Sequence, residues 1–267
     1  MGELVFVGLG LGSEKGISLL GLEKAKAAET VFAELYTSVM PQLNLSRLEK
    51  LLEKRVNVVT RHDLEEDGGK RILEATEKGN VALLVPGDPL IATTHVDLRI
   101  RAERQGIRTG IVQGASIVSA VMGLSGLQNY KFGRSVTVPF TDASAVIDTP
   151  YNVIAENRKA GLHTLCFLDI RAEEKRYMTI KDALEALSSL EAMKQQHIVT
   201  NETLAVGISQ AGSENPTVKA DYVEQLKKFS FGEPPHSLVF PGSLHFMEAE
   251  ALITLAKAPE KIRKLTK

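Results

Sequence analysis

Short, unbroken apolar runs constrain the fold of this chain more than any other feature. Residues Leu4 to Val7 and Val81 to Val85 are all apolar, and glycine or proline follows each run at once. Strands inside a parallel sheet are covered by helices on both faces and therefore show continuous apolar runs. Because helix-like segments alternate with these runs, the sequence predicts an α/β fold.

The first half of the chain continues this alternation. Three more strands are predicted, over residues 31–33, 56–59 and 108–112. Helices are predicted from Ser18 to about Ala28 and over residues 47–54, 70–78, 94–105 and 116–123. Ser18 is expected to cap the first of these helices, and Ser46 with Glu49 has the spacing of a capping box for the second. This half is therefore expected to form a mostly parallel sheet.

Composition changes between residues 124 and 151, where Gly, Asn, Thr, Asp and Pro become frequent. We place a domain boundary there, near residue 130, which gives α/β domains over 1–130 and 131–267. The second half has strands over 163–169, 204–208 and 237–240 and helices over 179–194 and 244–256. Its strand spacing is less regular, so a mixed sheet is expected.

Charge and composition exclude several classes of protein. The 267 residues include 32 basic and 33 acidic side chains, which argues against binding nucleic acid through bulk charge. No apolar stretch approaches the roughly 20 residues of a membrane helix, so we expect a soluble, cytoplasmic protein with no membrane partner. Cys166 is the single cysteine, and its apolar surroundings predict a buried, reduced thiol.

A glycine-rich segment, Gly8 to Ser13, follows the first predicted strand. Glycines allow a sharp turn and close approach of a ligand at the carboxyl edge of an α/β sheet. The spacing does not match the GxGxxG fingerprint of dinucleotide-binding proteins. Ser13 stands where that fingerprint has its third glycine or an alanine, and the helix begins only at about Ser18 and not directly after the turn. A structural turn and a ligand site remain equally open.

The segment from Pro86 to Thr93 is more specific. Two prolines flank Gly87 and Asp88 after a buried strand, and this places the Asp88 carboxylate at the carboxyl edge. The carboxylate could accept a hydrogen bond from a ribose or amine, or it could stabilise the turn alone. Ser116, after the strand over 108–112, could likewise cap a helix or bind a ligand.

The remaining chemical signals are weaker. The six histidines show no metal-ligand spacing with one another or with Cys166, so no metal is predicted, and no GxSxG elbow indicates a nucleophilic serine. His236 follows two prolines and precedes a strand, so it could be directed at a cleft, although a structural role is commoner for such a histidine.

Several segments, in this order, resemble the tetrapyrrole-methylase-like family of S-adenosylmethionine-dependent methyltransferases. Pro86 to Pro89 is typical of the whole family. Glu34 to Ser38 and Gly161 to Leu165 are typical of the branch that modifies translation elongation factor 2. The other matching segments are Phe6 to Leu11, Leu90 to His95, Cys166 to Ile170, Gln210 to Ser213 and Pro234 to His236.

The resemblance implies two α/β domains with S-adenosylmethionine in the cleft between them, and a homodimer. Position by position, it assigns cofactor contacts to Leu11, Asp88, Ile91, Ser116, Ile117, Leu168, Ala211 and His236. The implied reaction is methylation, three times in the archaeal form, of the amino group on a 3-amino-3-carboxypropyl-modified histidine of elongation factor 2. Because the cofactor supplies the electrophile, no catalytic residue is assigned.

The chain departs from the family at two places. Ala115 stands where the family often has proline, and no tryptophan-containing aromatic segment precedes Tyr151. The second departure bears on how the protein substrate is held. The competing hypotheses are a tetrapyrrole or precorrin methyltransferase of the same fold, a nicotinamide-dependent oxidoreductase and a non-catalytic S-adenosylmethionine-binding module.

Overall fold

The structure is a computed structural model that describes residues 2–140 and 146–266. It contains two compact units. The first unit comprises Met1–Ile117 with Ala172–Glu174, and the second comprises Val118–Arg171 with Lys175–Lys267.

The first unit contains a five-stranded sheet in the described part of the chain. Its strands are Leu4–Gly8 (β1), Thr30–Glu34 (β2), Val56–Val59 (β3), Val81–Val85 (β4) and Thr109–Val112 (β5). Their order is β3-β2-β4-β1-β5, and every pair is parallel. All residues of the two central strands, β1 and β4, are buried, as their continuous apolar runs predict. The predicted parallel sheet is confirmed.

The helices that cover this sheet begin close to the predicted positions. They are Leu19–Ala27 (α1), Leu45–Leu52 (α2), Lys70–Ala75 (α3) and Val96–Arg104 (α4). Ser18 caps α1 and accepts a hydrogen bond from the Gly21 backbone, as predicted. The predicted capping box of α2 is wrong, because Asn44 is the N-cap and Glu49 accepts a hydrogen bond from the Val56 backbone instead.

The second unit contains a mixed sheet, as predicted for the second half of the chain. Its strands are Val136–Val138 (β6), Thr164–Leu168 (β7), Ile170–Arg171 (β8), Arg176–Tyr177 (β9), Leu204–Ser209 (β10), Thr217–Tyr222 (β11) and His236–Phe240 (β12). The order is β11-β10-β12-β7-β6, with β6 and β7 parallel and the other pairs antiparallel, while β8 and β9 pair separately. Cys166 lies on β7, is fully buried and has a pKa raised by burial.

The remaining helices belong to this second unit, except for the first residue of α5. They are Ile117–Ser125 (α5), Thr149–Lys159 (α6), Ile180–Lys194 (α7), Val223–Leu226 (α8) and Phe246–Ala256 (α9). Thr179 and Asp182 form a capping box at the start of α7. One apolar core is formed by side chains of α6, α7, α8 and the strands, including Tyr151, Ile180 and Leu238. Among the described residues, no helix combines the length and apolar character needed to cross a membrane.

The two units meet along the chain at Ile117 and Val118, earlier than the domain boundary predicted near residue 130. The chain between these two points packs on the second unit. A side chain at Gly126 would touch Ala251 of α9, and the Gln128 backbone donates to Glu248 of the same helix. Composition does not reveal such contacts, because they join residues far apart in sequence. Residues 141–145 of the predicted connection lie outside the described residues.

Candidate functional site

Three loops lie at the carboxyl edge of the parallel sheet, after β1, β4 and β5. The connection from β1 leads to β2 on one side of the sheet, while the connection from β4 leads to β5 on the other side. The neighbouring strands β1 and β4 therefore form the topological switch point, where open α/β sheets bind their ligands. The glycine-rich segment follows β1, and the Pro86 segment follows β4.

The loops after β1 and β4 are joined through their backbones. Gly10 N donates to Gly87 O at 3.1 Å, and Gly87 N donates to Gly10 O at 2.7 Å. Gly10 and Gly87 have φ angles of 69° and 73°, in the left-handed region that favours glycine. The glycines predicted to permit a sharp turn therefore pair two loops at the switch point.

The loop after β5 packs against these two so closely that a side chain would not fit. A Cβ at Gly114 would lie 2.2 Å from Gly87 O, and a Cβ at Gly8 would lie 2.5 Å from Gly114 N. By contrast, the nearest atom to a Cβ at Gly87 in the described structure would be Ala115 O, at 3.9 Å. Open space over Gly87 leaves its backbone accessible to a ligand.

Asp88 connects two of the loops. Its Oδ1 accepts a hydrogen bond from Leu90 N at 3.1 Å, and its Oδ2 accepts a longer one from Gly114 N at 3.4 Å. The half-buried carboxylate therefore stabilises the turn and also ties it to the loop after β5. The structure thus shows the stabilising role of Asp88 in the turn, and its contact with a ligand stays a prediction.

The other predicted cofactor residues of this unit lie in the same three loops, except Ile117, which begins α5 directly after the loop that follows β5. Leu11, Ser116 and Ile117 are half-buried, and Ile91 is exposed. An exposed isoleucine beside polar backbone offers an apolar surface at the carboxyl edge of the sheet.

The predicted cofactor residues of the second unit are also brought together. Leu168 ends β7, Ala211 follows β10 and His236 begins β12. Since β12 is antiparallel to both of its neighbours, these three positions lie at the same end of the mixed sheet. That one cofactor contacts both this set of residues and the set in the first unit stays a prediction.

His236 is buried and uses only one ring nitrogen in the fold. Its Nδ1 accepts a hydrogen bond from Ile180 N at 3.2 Å, which places the proton of the neutral ring on Nε2. Burial lowers the pKa of His236, although the Gly232 and Glu233 carbonyls act in the opposite direction. Nε2 is buried without a hydrogen-bond partner, as is Ser213 Oγ in the loop after β10. This end of the sheet therefore carries a histidine donor and a hydroxyl for a ligand.

A second polar group on the first unit, formed by Glu34, Tyr36 and His95, is absent from the site residues predicted from the sequence. All three are buried, and His95 Nε2 lies 3.3 Å from Glu34 Oε1. The sequence signal was available, since each residue lies in a segment that carries the family resemblance, but their proximity depends on the fold. Within residues 2–140 and 146–266, no group of three or more His, Cys, Asp or Glu side chains could hold a metal ion.

Comparisons with known proteins identify the class. Residues 3–227 match the family model of the Tetrapyrrole (Corrin/Porphyrin) Methylases, so the chain belongs to this methyltransferase family. Two curated relatives are both named diphthine synthase. One, from Methanosarcina acetivorans, is 49% identical and covers 98% of this chain and 99% of its own. The other, from Methanococcoides burtonii, is 48% identical and covers 97% and 98%. The chain therefore belongs to the diphthine synthase family.

Solved structures agree with this assignment. A crystal structure of diphthine synthase has a TM-score of 0.88 and 43% identity, covering 98% of this chain and 99% of its own. A putative diphthine synthase from Entamoeba histolytica also has a TM-score of 0.88, with 34% identity and 96% and 98% coverage. The α/β architecture and the methyltransferase class are thus confirmed.

Proposed function

We propose that this protein uses S-adenosylmethionine to methylate the modified histidine of translation elongation factor 2, in diphthamide biosynthesis. The acceptor is the amino group of the 3-amino-3-carboxypropyl substituent, and three methylations give diphthine. The observation that carries the proposal is the 49% identity to a diphthine synthase over almost the whole of both chains.

The cofactor proposal is supported by the chemistry of the loops. Open space over Gly87 suits the close approach of a nucleoside, and Asp88 has lone pairs left to accept from a ribose or an amine. In the second unit, the orphan His236 Nε2 offers a donor. The residues proposed to hold the cofactor are Leu11, Asp88, Ile91, Ser116 and Ile117, with Leu168, Ala211 and His236.

In the proposed mechanism, S-adenosylmethionine supplies the methyl group as an electrophile. The residues of this chain then have to bind the acceptor, orient its neutral amine and exclude water. Positioning of this kind can provide roughly 7–11 kcal/mol of the barrier, so no strong general base is needed. Glycine backbones packed without side chains are suited to this task because they leave the loops little freedom to move.

The proposed partners are elongation factor 2 as substrate and a second copy of this chain in a homodimer, within the cytoplasm. A dimer is consistent with apolar side chains exposed on α9, namely Phe246, Met247 and Leu255. Sedimentation equilibrium of the purified protein tests the homodimer independently of the reaction.

The reaction is tested by mass spectrometry of elongation factor 2 that bears the 3-amino-3-carboxypropyl group. Incubation with the purified protein and S-adenosylmethionine should raise the mass of the modified residue by one to three methyl substitutions. Factor in which the target histidine is replaced should stay unchanged, as should samples with NAD in place of S-adenosylmethionine. Methylation of a porphyrinoid but not of the factor would instead favour a tetrapyrrole methyltransferase.

A further inference from the structure

A cluster of buried polar side chains, which we call the Glu34 cluster, consists of Glu34, Tyr36 and His95. Glu34 ends β2, Tyr36 follows it, and His95 precedes α4. Glu34 is fully buried, while Tyr36 and His95 are 6% and 3% exposed. Because β2 is the neighbour of β4, the cluster lies at the same carboxyl edge as the Asp88 loop.

The Glu34 carboxylate is held in place by the chain that follows it. Its Oε2 accepts hydrogen bonds from Tyr36 N at 3.0 Å and Thr37 N at 3.1 Å, and its Oε1 accepts from the Thr37 hydroxyl. These bonds fix one buried carboxylate at the end of the sheet. They leave the polar atoms of its two neighbours unused.

Those neighbours carry three buried atoms with no hydrogen-bond partner, namely Tyr36 Oη and both ring nitrogens of His95. His95 Nε2 is 3.3 Å from Glu34 Oε1, but the alignment does not make a hydrogen bond. The rings of Tyr36 and His95 stack with their centroids 6.5 Å apart. Unsatisfied buried polar groups are rare in folded proteins, so three on two stacked side chains, one of them 3.3 Å from the Glu34 carboxylate, indicate a ligand.

A recess of about 170 Å³ adjoins the cluster and is lined by His95. Its other lining residues are Leu64, Glu65, Thr94, Asp97 and Leu98. Charges of both signs stand beside Tyr36, since the Arg61 guanidinium lies 5.3 Å from its ring centroid and 4.0 Å from the Glu65 carboxylate. Burial, followed by the charges of Glu34 and Glu65, raises the pKa of Tyr36, so its hydroxyl keeps a proton to donate.

We propose that the Glu34 cluster and its recess bind an α-amino-acid head group, an ammonium and a carboxylate on one carbon. An ammonium offers donors to Glu34, Glu65 and the acceptor nitrogen of His95. A carboxylate accepts from the Tyr36 hydroxyl and pairs with Arg61. The recess is smaller than the roughly 300–1,000 Å³ of sites that enclose whole drug-sized ligands, so it fits a head group.

This inference rests on the proposed function, in which two molecules carry such a head group. One is the 3-amino-3-carboxypropyl side chain of the acceptor, and the other is the methionine end of S-adenosylmethionine. The expected occupant is the acceptor, because Glu34 and Tyr36 lie at the end of β2, whereas the loops assigned to the cofactor follow β1, β4 and β5 and contribute only His95 to the cluster. The two sources are separated by measuring cofactor affinity and acceptor kinetics on the same variants.

The test uses Tyr36→Phe and His95→Leu, which remove atoms that have no partner in the fold. A merely structural site would keep or gain stability and keep its kinetics, because deleting an unsatisfied polar group removes a penalty. We expect unchanged melting temperatures, unchanged affinity for S-adenosylhomocysteine and a fall in kcat/KM for elongation factor 2 of about 10- to 100-fold.

Tyr151→Phe is the matched control, because Tyr151 is also a buried tyrosine but its hydroxyl donates to Glu191 at 2.7 Å. This variant should lower the melting temperature and leave kcat/KM unchanged. A loss of S-adenosylhomocysteine affinity in Tyr36→Phe, with unchanged affinity for 5′-methylthioadenosine, would support the head-group site with the cofactor as its occupant.

Unchanged kinetics and unchanged cofactor affinity in folded Tyr36→Phe and His95→Leu would overturn the inference. Failure of the wild-type protein to methylate the factor would contradict the proposed function instead. In that case calorimetry with a peptide that carries the modified histidine decides the site. Equal affinity of wild type and Tyr36→Phe overturns it, and weaker binding by the variant supports it.

Discussion

The carboxylate of Asp88 accepts hydrogen bonds from Leu90 in its own loop and from Gly114 in the loop after β5. A carboxylate oxygen can accept more than one hydrogen bond, so these contacts leave capacity for a ligand. In His236, Nδ1 accepts a hydrogen bond within the fold, while Nε2 has no partner there and is available to the proposed ligand. At this scale a residue that shapes the site can also bind the ligand.

Asp88→Ala is therefore expected to have two effects. The free energy of unfolding should fall by about 1–3 kcal/mol, because two backbone N–H groups lose their acceptor, and S-adenosylmethionine should bind about 1.5–3 kcal/mol more weakly. Urea denaturation and isothermal titration calorimetry measure the two effects separately. Asp88→Asn, which keeps one acceptor oxygen, should lose less stability. An unchanged dissociation constant in a folded Ala variant would make Asp88 purely structural.

Glu248 near the start of α9 joins this helix to two other segments of the second unit. Its Oε1 accepts from His163 Nε2 and Gln128 N, both at 2.9 Å, and its Oε2 pairs with Lys131. His163 directly precedes β7, and Lys131 ends a short 3₁₀ turn. Burial alone would raise the pKa of Glu248, but hydrogen bonds from His245, Lys131, Gln128 and His163 outweigh it and lower the pKa to about 2.

Glu248→Gln should lower the free energy of unfolding by about 3 kcal/mol, because it removes the fully buried anion that pairs with the half-buried Lys131 ammonium and with His163. Glu250→Gln is the matched control on the same helix, since its exposed pair with Arg263 should contribute about 0–1 kcal/mol. Urea unfolding at pH 7 measures both. Equal losses in the two variants would show that the buried network does not hold the helix in place.

The same network predicts how stability depends on pH. The folded pKa of Glu248 lies below its ordinary value of 4.5, so its stabilisation is present above that value and is lost as pH falls towards about 2. Burial also lowers the pKa of His163, because it outweighs the hydrogen bond and the charge of Glu248, which act in the opposite direction. The unfolded chain therefore takes up a proton on this histidine below its ordinary pKa of 6.5 more readily than the folded protein does, and this opposes folding as well. Wild-type stability should therefore decline below pH 6.5, and Glu248→Gln should decline less between 4.5 and 2.

For the molecule as a whole, those strands, helices and sheet types that local sequence patterns encode could be predicted. The apolar runs of β1 and β4 and the helix following Ser18 are such patterns, and both sheets were assigned their correct type. Strand β11 was missed, because its mixture of polar and apolar residues resembles a loop. The contact of Glu34 with His95 could not be predicted, since it depends on β2 and β4 being neighbours. The resemblance to a family assigned the cofactor residues, which periodicity alone could not do.

Recognition of one protein substrate requires more contacts than the Glu34 cluster can supply. Its recess of about 170 Å³ has room for a head group, so specificity for the proposed substrate, elongation factor 2, has to come from surfaces outside it. Binding energy from such remote contacts helps to position the reacting amine, and a truncated substrate loses that contribution. A short peptide carrying the modified histidine should accordingly show a lower kcat/KM than the full-length factor in a methyl-transfer assay. Equal values for peptide and factor would mean that the enzyme reads the modified side chain alone.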